Sequence, residues 1–537
     1  MKNRIYLKHW LALKPYDKET LSDAYYLKLS NEIKETLQIS TNSALLFLLS
    51  KSEIDLLSCF IASYFEDLIS GTNIWNTFIN YHQNLYGKKL PFYNTDEYYE
   101  NEGNLQDIQF LIWYFIITID KERVINPHID SILTISKDVL LILDREYQYA
   151  PENNYLKTFY QIDKNETDFY KVRNVIHDML FKTYLFHPDT AITLREEEDE
   201  LIEKNHEHLR MLLINNEVNQ IHTAHTKLLS LTGKEWVAEI IGNQHPLYDD
   251  LLKMSPRIEG YFLYKGQNET DIFIEHIASG KKFNLTKKSY DVNNIKEGDP
   301  IMYLGIVKWR NEWWFSGINF SIAFNANLIL DEKNSLKSRM AVNFIDHNLQ
   351  KVENILQEQL DSFLKFNNGS PIAFMASDEI ENFNNDYIKY FNENLNLSDR
   401  ERKEADERAK KEGFFNRDLK VKLDGGEADS GLVFFNSNSG VEMAFGINSA
   451  FPDKNNPFFD PHESDQSIKA LLFSSEFSLE LVNFCLDNFK TQLPFFTKGK
   501  GKDYLDDIDF LLRFWKSENY HTKPEITFTG QEYLNQK

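Results

Sequence analysis

One short loop near the C-terminal end of the chain concentrates residue types that bind metals and move protons. From Asp460 to Asp465 the sequence reads Asp-Pro-His-Glu-Ser-Asp, so three carboxylates and one imidazole fall within six residues. Clustered carboxylate oxygens suit hard cations, and an imidazole can act as a ligand or a base. An EF-hand would also need a central glycine and a terminal glutamate, and the loop lacks both. Two interpretations follow: a metal-assisted hydrolase site, or a turn that starts a helix near Ser467. The candidate site residues are Asp460, His462, Glu463 and Asp465.

A second possible metal site is suggested by the spacing of two histidines, His222 and His225. They lie three residues apart in a stretch of helical character, so they would share one helix face. A zinc-type site needs three or four ligands, and the others would have to come from distant parts of the chain. We interpret the pair as ordinary packing or surface histidines.

The sequence contains none of the common catalytic or nucleotide-binding motifs. The patterns G-x-x-x-x-G-K-[ST], G-x-G-x-x-G, G-x-S-x-G and H-E-x-x-H do not occur. Their absence disfavours P-loop proteins, common dinucleotide enzymes, esterases with a nucleophile elbow and zincin proteases. The two cysteines, Cys59 and Cys485, are too few for a cysteine metal site and indicate no disulfide framework. No cofactor is predicted, a divalent metal enters only with the hydrolase hypothesis, and a non-enzymatic role is favoured.

Five aromatic residues in the middle of the chain form the second candidate site. They are Tyr261, Tyr264, Trp309, Trp313 and Trp314. Because side chains alternate along a strand, Trp313 and Trp314 must face opposite sides, one towards a core and one outward. An outward aromatic could stack on a nucleobase, grip a proline-rich peptide, or cover an interface with a neighbouring helical domain. The sequence leaves open which of the two tryptophans faces outward.

These aromatics belong to five short β-prone runs that follow Pro256 and are separated by turn-forming residues. Five short strands in about sixty residues would leave a sheet with exposed edges, and closure into a small SH3-like or OB-like barrel removes those edges. The predicted strands are 258–264, 271–277, 282–285, 301–307 and 313–316.

The rest of the chain is predicted to be mainly helical. In the N-terminal part, a capping box at Ser52 and Asp55 and a stop at Gly71 frame one apolar helix, and a second lies over Phe110–Ile119. A charged stretch that begins at Ser398 has almost no apolar stripe, which is typical of a solvated helix or spacer.

The length of 537 residues is enough for three or four domains. The final segment is predicted to open with a hairpin over 432–435 and 441–445 and to continue with helices over 478–490 and 503–517. We predict a helical domain over 1–250, a small β-barrel over 256–320, a helical and charged spacer region over 321–425, and an α+β domain over 430–537.

The charge of the chain restricts its partners. The formal net charge is −23, and a negative field repels nucleic-acid phosphates unless a basic patch is set apart. One short patch accompanies the β-rich segment: Lys281, Lys282, Lys287 and Lys288. No signal peptide or membrane-spanning run is recognisable, so we expect a soluble protein of the bacterial-type cytoplasm with no membrane partner.

Three stretches carry a resemblance to a known family. They are the opening RIYLKHWLALKPYDKETLSDAYYLKLSNEI, the segment DIQFLIWYF at 107–115 and the closing LDDIDFLLRFWK at 505–516. The chain resembles an uncharacterised family of Bacteroidetes-type bacteria, catalogued as a domain of unknown function. The β-rich segment is also similar to a small barrel of other bacterial proteins of unassigned role. The resemblance implies a bacterial cytoplasmic origin and transfers no catalytic residue.

Three hypotheses of function remain from the sequence. The first is a non-enzymatic interaction or scaffold protein that contacts protein partners through the barrel aromatics. The second is a metal-assisted hydrolase that uses the Asp460–Asp465 loop. The third is a nucleic-acid-associated factor that uses the barrel and its lysines. Oligomeric state and partner identity stay undetermined.

Overall fold

The computed structural model describes residues 4–39, 44–120, 123–204, 208–291, 300–345, 348–395 and 428–524, together with residues 295, 398, 400 and 403. The chain divides into two compact units, Met1–Asn343 and Phe344–Lys537. The four segments predicted from the sequence are smaller than these units, and whether any of them folds alone stays a prediction.

The first unit begins with a run of helices and continues into five strands and two further short helices. The helices before the strands are α1 Leu7–Leu11, α2 Asp23–Ile39, α3 Ala44–Leu48, α4 Lys51–Ser70, α5 Ile74–Tyr86, α6 Leu105–Ile119, α7 Asp130–Glu146, α8 Asn154–Phe159, α9 Phe169–Phe181, α10 His187–Glu203, α11 Leu209–Thr223, α12 Gly233–Ile241 and α13 Tyr248–Leu252. The strands are β1 Ile258–Gln267, β2 Asp271–His276, β3 Lys282–Thr286, β4 Ile301–Trp309 and β5 Glu312–Ile322, and α14 Ala326–Asn334 and α15 Leu336–Met340 follow them.

Two central helices form the core of the helical segment. Every residue of α6 from Asp107 to Thr118 is buried, so this helix is apolar all round and lies inside the bundle. Helix α4 begins at a capping box in which the Glu53 amide donates to Ser50 Oγ over 3.3 Å. It ends at Gly71, which has a φ of 63° and so suits a left-handed cap. The predicted stop at Gly71 is confirmed, whereas the predicted cap at Ser52 is wrong by two residues.

The five strands of the first unit pair into one sheet in the order β1-β2-β3-β5-β4. Strand β4 also pairs with β1, from Ile258 opposite Ile306 to Leu263 opposite Ile301, so the sheet closes on itself. Four of the five interfaces are antiparallel, and β3 meets β5 in parallel at Leu285 and Trp313. Closure leaves few unpaired edge groups, which is the reason such short strands are stable together.

The second unit contains a three-stranded antiparallel sheet with helices on both faces. Its strands are β6 Ile372–Ala376, β7 Ser430–Asn436 and β8 Gly440–Phe445, in the order β6-β7-β8. Its helices are α16 Leu349–Phe366, α17 Ile380–Asn394, α18 Ser464–Phe473, α19 Leu479–Phe489, α20 Pro494–Thr497 and α21 Ile508–Trp515. The central strand β7 is buried on both sides, because Val433 and Phe435 pack with α16 and α17 while Leu432 and Phe434 pack with the C-terminal helices.

The predicted architecture of a mainly helical chain with a small β-rich segment in its middle is confirmed. The five predicted strands and the hairpin occur, with bounds within three residues of the prediction except that β5, predicted over 313–316, continues to Ile322. Strand β6 was not predicted, and it lies inside the segment interpreted as helical and charged spacer. The charged stretch after Ser398 lies almost entirely outside the described residues.

Candidate interaction surface

The outer face of the closed sheet carries a row of aromatic side chains across three strands. Tyr261 on β1 lies opposite Tyr303 on β4, and Tyr303 lies opposite Phe320 on β5. The ring centroids of Tyr261 and Tyr303 are 5.0 Å apart, and those of Tyr303 and Phe320 are 4.8 Å apart and nearly parallel. All three side chains are partly exposed. We call this row the open half of the outer face.

The other end of the same face is covered by helices of the first unit. Trp314 on β5 is 4% exposed and packs on Phe169 and Tyr170 of α9, with ring centroids 5.8 and 6.0 Å away. Its cross-strand neighbour Val307 and the nearby Trp309 are also buried. We call this end the covered half. Of the interpretations offered for an outward tryptophan, the geometry of Trp314 matches a cover over the interface with the helical segment.

A buried arginine joins the two halves. Arg257 donates from Nε to the Ser316 carbonyl over 3.0 Å, from Nη1 to Glu259 over 2.7 Å and from Nη2 to Asn215 of α11 over 2.7 Å. The same Glu259 accepts from Asn215 Nδ2 over 2.8 Å and from the Tyr303 hydroxyl. This network fixes α11 to β1, β4 and β5, because Arg257, Glu259 and Asn215 each have at least two partners in it.

Two glycines make room for that arginine. A Cβ atom on Gly305 would lie 2.5 Å from Arg257 Nε, and one on Gly317 would lie 2.6 Å from Arg257 Nη2. Gly317 also has a φ of 115°, a conformation that side chains with a Cβ rarely adopt. The glycines therefore allow the guanidinium to lie flat on the sheet.

Carboxylates lie near the tyrosines of the open half. The pKa of the Tyr261 hydroxyl is raised by its burial and by the charge of Glu332 in α14. The pKa of the Tyr303 hydroxyl is raised by its burial and by its hydrogen bond to Glu259. Both phenols therefore stay neutral, and each can present a ring face and a polar tip to a partner.

Only part of the predicted aromatic set is accessible. The burial of Trp309 and Trp314 excludes their indoles from a surface contact in this structure. Trp313 is partly exposed and packs edge-to-face on Phe283, 4.9 Å between centroids. Tyr264 is also partly exposed, and strand alternation places it on the opposite face from Tyr261. Sequence reasoning missed Tyr303 and Phe320, although their register opposite Tyr261 is the signal that identifies the row.

The lysines of the β-rich segment are partly engaged with their own chain. Lys288 Nζ lies 2.7 Å from the Glu312 carboxylate, and Lys287 donates to the Asn268 carbonyl. Lys281 and Lys282 lie at the start of β3, where Lys282 is exposed. The four residues therefore do not form one free basic patch.

The polar side chains of the Asp460–Asp465 loop interact with nearby backbone groups and with one lysine. Asp460 Oδ1 accepts from the His462 amide over 2.8 Å, and the Asp460 amide donates to Ser449 Oγ over 3.1 Å. Glu463 precedes the first residue of α18, and Asp465 lies 3.2 Å from Lys469 one turn later. Within the described ranges of the chain, no group of three or more histidine, cysteine, aspartate or glutamate residues is arranged to hold a metal ion.

The two histidines with metal-like spacing have separate partners. His222, in the last turn of α11, stacks on Phe169 and lies 3.1 Å from Ser316 Oγ. His225 follows the end of the helix and pairs with Thr232 in an isolated bridge. They do not share a helix face, because the helix ends at Thr223.

The core of the helical segment holds buried carboxylates that the sequence did not reveal. Asp107 accepts from the Tyr64 and Tyr98 hydroxyls over 2.6 and 2.9 Å. Burial raises the pKa of Asp107 to about 6, against the opposing effect of those hydrogen bonds. Glu66 pairs with the buried Lys14. These groups have hydrogen-bond partners inside the core, which is the condition for burying polar groups at low cost.

The second unit contains one buried lysine with a comparable structural role. Lys516 is 2% exposed and donates to the carbonyls of Phe477, over 2.9 Å, and Ser474. Its burial lowers the pKa to about 8. Ser474 is the C-cap residue that follows α18, so the ammonium group satisfies carbonyls at and beyond that helix terminus.

These features define a class: a mainly helical protein whose N-terminal bundle covers one end of a closed five-stranded sheet and leaves the other end open. None of the helices among the described residues combines the length and the apolar character needed to cross a bilayer. Residues 4–260 match the model of a family described as a protein of unknown function (DUF3843). No curated protein and no solved structure matches the chain.

The predicted resemblance to a domain of unknown function is confirmed for residues 4–260. Two of the three resembling stretches, at the N-terminus and at 107–115, lie inside the matched segment. The stretch at 505–516 and nearly all of the closed sheet lie outside it, so the open half of the outer face is not covered by the family match.

Proposed function

We propose that the chain is a non-enzymatic interaction protein of the bacterial cytoplasm, and that its closed sheet is a small SH3-like or OB-like barrel that binds an extended segment of a protein partner. The single observation that carries this proposal is the open half: Tyr261, Tyr303 and Phe320 in contact on adjacent strands and partly exposed. Partly exposed rows of aromatic rings are a recurrent binding surface for extended peptides.

The surroundings of the row favour a partner segment that is apolar and basic. Glu332 of α14 lies close enough to Tyr261 to raise the pKa of its hydroxyl, and the neighbouring Asp331 is exposed. Phe324, which follows β5, and Leu330 of α14 are 66% and 58% exposed. Apolar rings flanked by carboxylates suit aliphatic or proline side chains interleaved with lysine or arginine.

Site-specific photo-crosslinking tests the proposal in the organism that encodes the chain. A photoreactive phenylalanine analogue is placed at position 320 of the full chain and, in a separate protein, at position 264. Both native side chains are partly exposed, but only Phe320 belongs to the open half, so Tyr264 is a matched control. We expect a discrete protein adduct from position 320 and none from position 264.

A second substitution tests whether the adduct at position 320 depends on the aromatic row. Tyr261→Ser in the protein that carries the probe at 320 should lower the adduct yield by about tenfold, because one of the three rings of the surface is lost. The site of attachment on the partner, read by mass spectrometry, should be an apolar and basic segment. Equal adducts from 320 and 264, or an adduct that nuclease removes, would contradict the proposal and favour the nucleic-acid hypothesis.

A further inference from the structure

The three-stranded sheet of the second unit has two edge strands, β6 and β8, on either side of β7. Residues along an antiparallel strand direct their backbone hydrogen bonds alternately to one neighbour and to the other. The Gly446 amide, just beyond β8, donates to the Ser430 carbonyl over 3.2 Å. The Phe435 amide donates to the Pro371 carbonyl, just before β6, over 2.8 Å. Residues of β7 with even numbers therefore bond to β8, and those with odd numbers bond to β6.

The outward backbone groups at both ends of β6 are occupied by nearby side chains. The Ile372 amide donates to Ser370 Oγ over 3.2 Å, and its carbonyl accepts from Asn367 Nδ2 over 3.0 Å. At the other end of the strand, the Ala376 amide donates to Glu379 Oε2 over 3.2 Å. A strand whose outward groups are occupied pairs poorly with a further strand, so this edge is protected.

Strand β8 lacks this protection. Its outward residues are Val441, Met443 and Phe445, because they lie opposite the odd-numbered residues of β7. Their outward amides and carbonyls have no hydrogen-bond partner among the described residues. All three residues are partly exposed, and the strand contains neither proline nor lysine, the residues that often guard an edge. A row of unpaired backbone groups is a template for another extended strand.

The spacing of the outward residues identifies a strand that fits. The three are symmetric about Met443, so a second β8 strand can run antiparallel with Met443 opposite Met443 of the other copy. In that register Val441 of each copy lies opposite Phe445 of the other. Each of these pairs exchanges two N–H···O=C bonds, and every outward group of both strands gains a partner.

The side chains on both faces of β8 agree with this register. On the face towards α16, the three outward residues are apolar and pack against the cluster that contains Phe363. On the other face, Glu442 of one copy lies opposite Ala444 of the other, so no carboxylate directly faces another. Apolar cross-strand pairs stabilise a sheet, whereas like charges placed directly opposite destabilise it.

We propose that the chain forms a homodimer in which the two β8 strands pair antiparallel about a two-fold axis at Met443 and join the two sheets into one. A two-fold contact of this kind, in which both copies use the same surface, is the commonest arrangement in homo-oligomers. The interface lies in the second unit and does not depend on the proposed function of the open half.

Disulfide crosslinking of the full chain tests the register. Cα atoms of a hydrogen-bonded antiparallel pair are about 5.5 Å apart, which a disulfide can span. Met443→Cys should therefore give a covalent dimer under mild oxidation, read on a non-reducing gel. Val441→Cys is the matched control, because its two copies are roughly 14 Å apart in this register. Adding Phe445→Cys to that control should restore the crosslink.

The native cysteines do not confuse this test. Cys59 and Cys485 are both buried, and the wild-type chain under the same oxidant shows their contribution directly. Equal crosslinking of Val441→Cys and Met443→Cys, or none in Met443→Cys, would overturn the proposed register.

Light scattering after size exclusion tests the dimer without a crosslink. The wild type should have twice the chain mass of 63.3 kDa. Met443→Pro removes an outward amide that does not bond to β7, so the sheet should persist while the dimer is lost. Met443→Leu keeps the amide and should stay dimeric. A monomeric wild type, or a dimer that survives in Met443→Pro, would overturn the proposal, and the crosslinking test holds even if Met443→Pro fails to fold.

Discussion

The covered and open halves lie on the same outer face of the closed sheet, yet they differ in how much of their aromatic surface the rest of the chain buries. In the covered half, Trp314 packs on α9 and Arg257 reaches α11, so the aromatic surface becomes part of a core. In the open half, Tyr261, Tyr303 and Phe320 make similar ring contacts with one another but keep part of their area in water. The comparison teaches that an outward aromatic is accessible to a partner only where the rest of the chain leaves it uncovered.

The largest expected difference between the halves is in the cost of removing one ring. Trp314→Ala should lower the free energy of unfolding by about 3–5 kcal/mol, since a buried side chain at the interface is replaced by a cavity. Phe320→Ala should cost only about 1 kcal/mol, because its ring is partly exposed. Urea denaturation of both variants measures the contrast. Equal costs would mean that the two halves are buried alike.

The next effect concerns the arginine that joins the halves. Arg257→Met should lower the free energy of unfolding by about 3 kcal/mol, because Glu259 would keep its charge without its partner. The matched control is Arg310→Met, which removes a more exposed pair with Asp250 and should cost about 0–1 kcal/mol. Chemical denaturation measures both. If the two variants cost the same, Arg257 does not anchor α11 to the sheet.

The smallest expected effect is a pH dependence within the covering helices. His177 of α9 lies 2.8 Å from both Asp178 and Glu217, the latter on α11. Burial opposes its protonation, but the two carboxylates outweigh it and raise the pKa to about 9 from an ordinary 6.5. Because the folded-state value is the higher one, the stabilisation is complete below pH 6.5 and is lost as the pH rises towards 9.

His177→Gln tests this dependence. The denaturant midpoint of the wild type should decrease as the pH is raised from about 6.5 to about 9. The midpoint of the variant should lose most of this dependence on pH. Glu217→Gln should reduce the slope in part, since one of the two carboxylates remains. A wild-type midpoint that is flat over this range would contradict the protonated bridge between α9 and α11.

Local patterns were enough to predict the strands but not their environment. The runs beginning at Ile258, Asp271, Lys282 and Ile301 start where the strands start, because turn residues and alternation are local signals. Strand β6 escaped prediction, since five residues between two helices carry little periodicity and pair with β7 only after folding. The cap of α4 was misplaced by two residues because Ser50 and Ser52 offer the same chemistry.

The two candidate sites show the same contrast between what local patterns predict and what tertiary packing decides. Alternation predicted that Trp313 and Trp314 face opposite sides, and the structure places Trp314 towards the helices. The carboxylate-rich loop from Asp460 to Asp465 had suggestive composition, but its oxygens accept from nearby backbone amides and pair with a lysine. Composition alone cannot distinguish these uses, because the same side chains cap turns and bind cations.

The sequence by itself determined the helical character of the chain, the position of the β-rich segment, the acidic charge and the match of residues 4–260 to a family model of unknown function. Only the tertiary structure decided which aromatics are buried, which carboxylates share a core, and which edge strand of the second unit is protected by nearby side chains. The physical reason is the range of the interactions. Propensity and alternation act between neighbours in sequence, whereas burial depends on which distant segment packs against a surface.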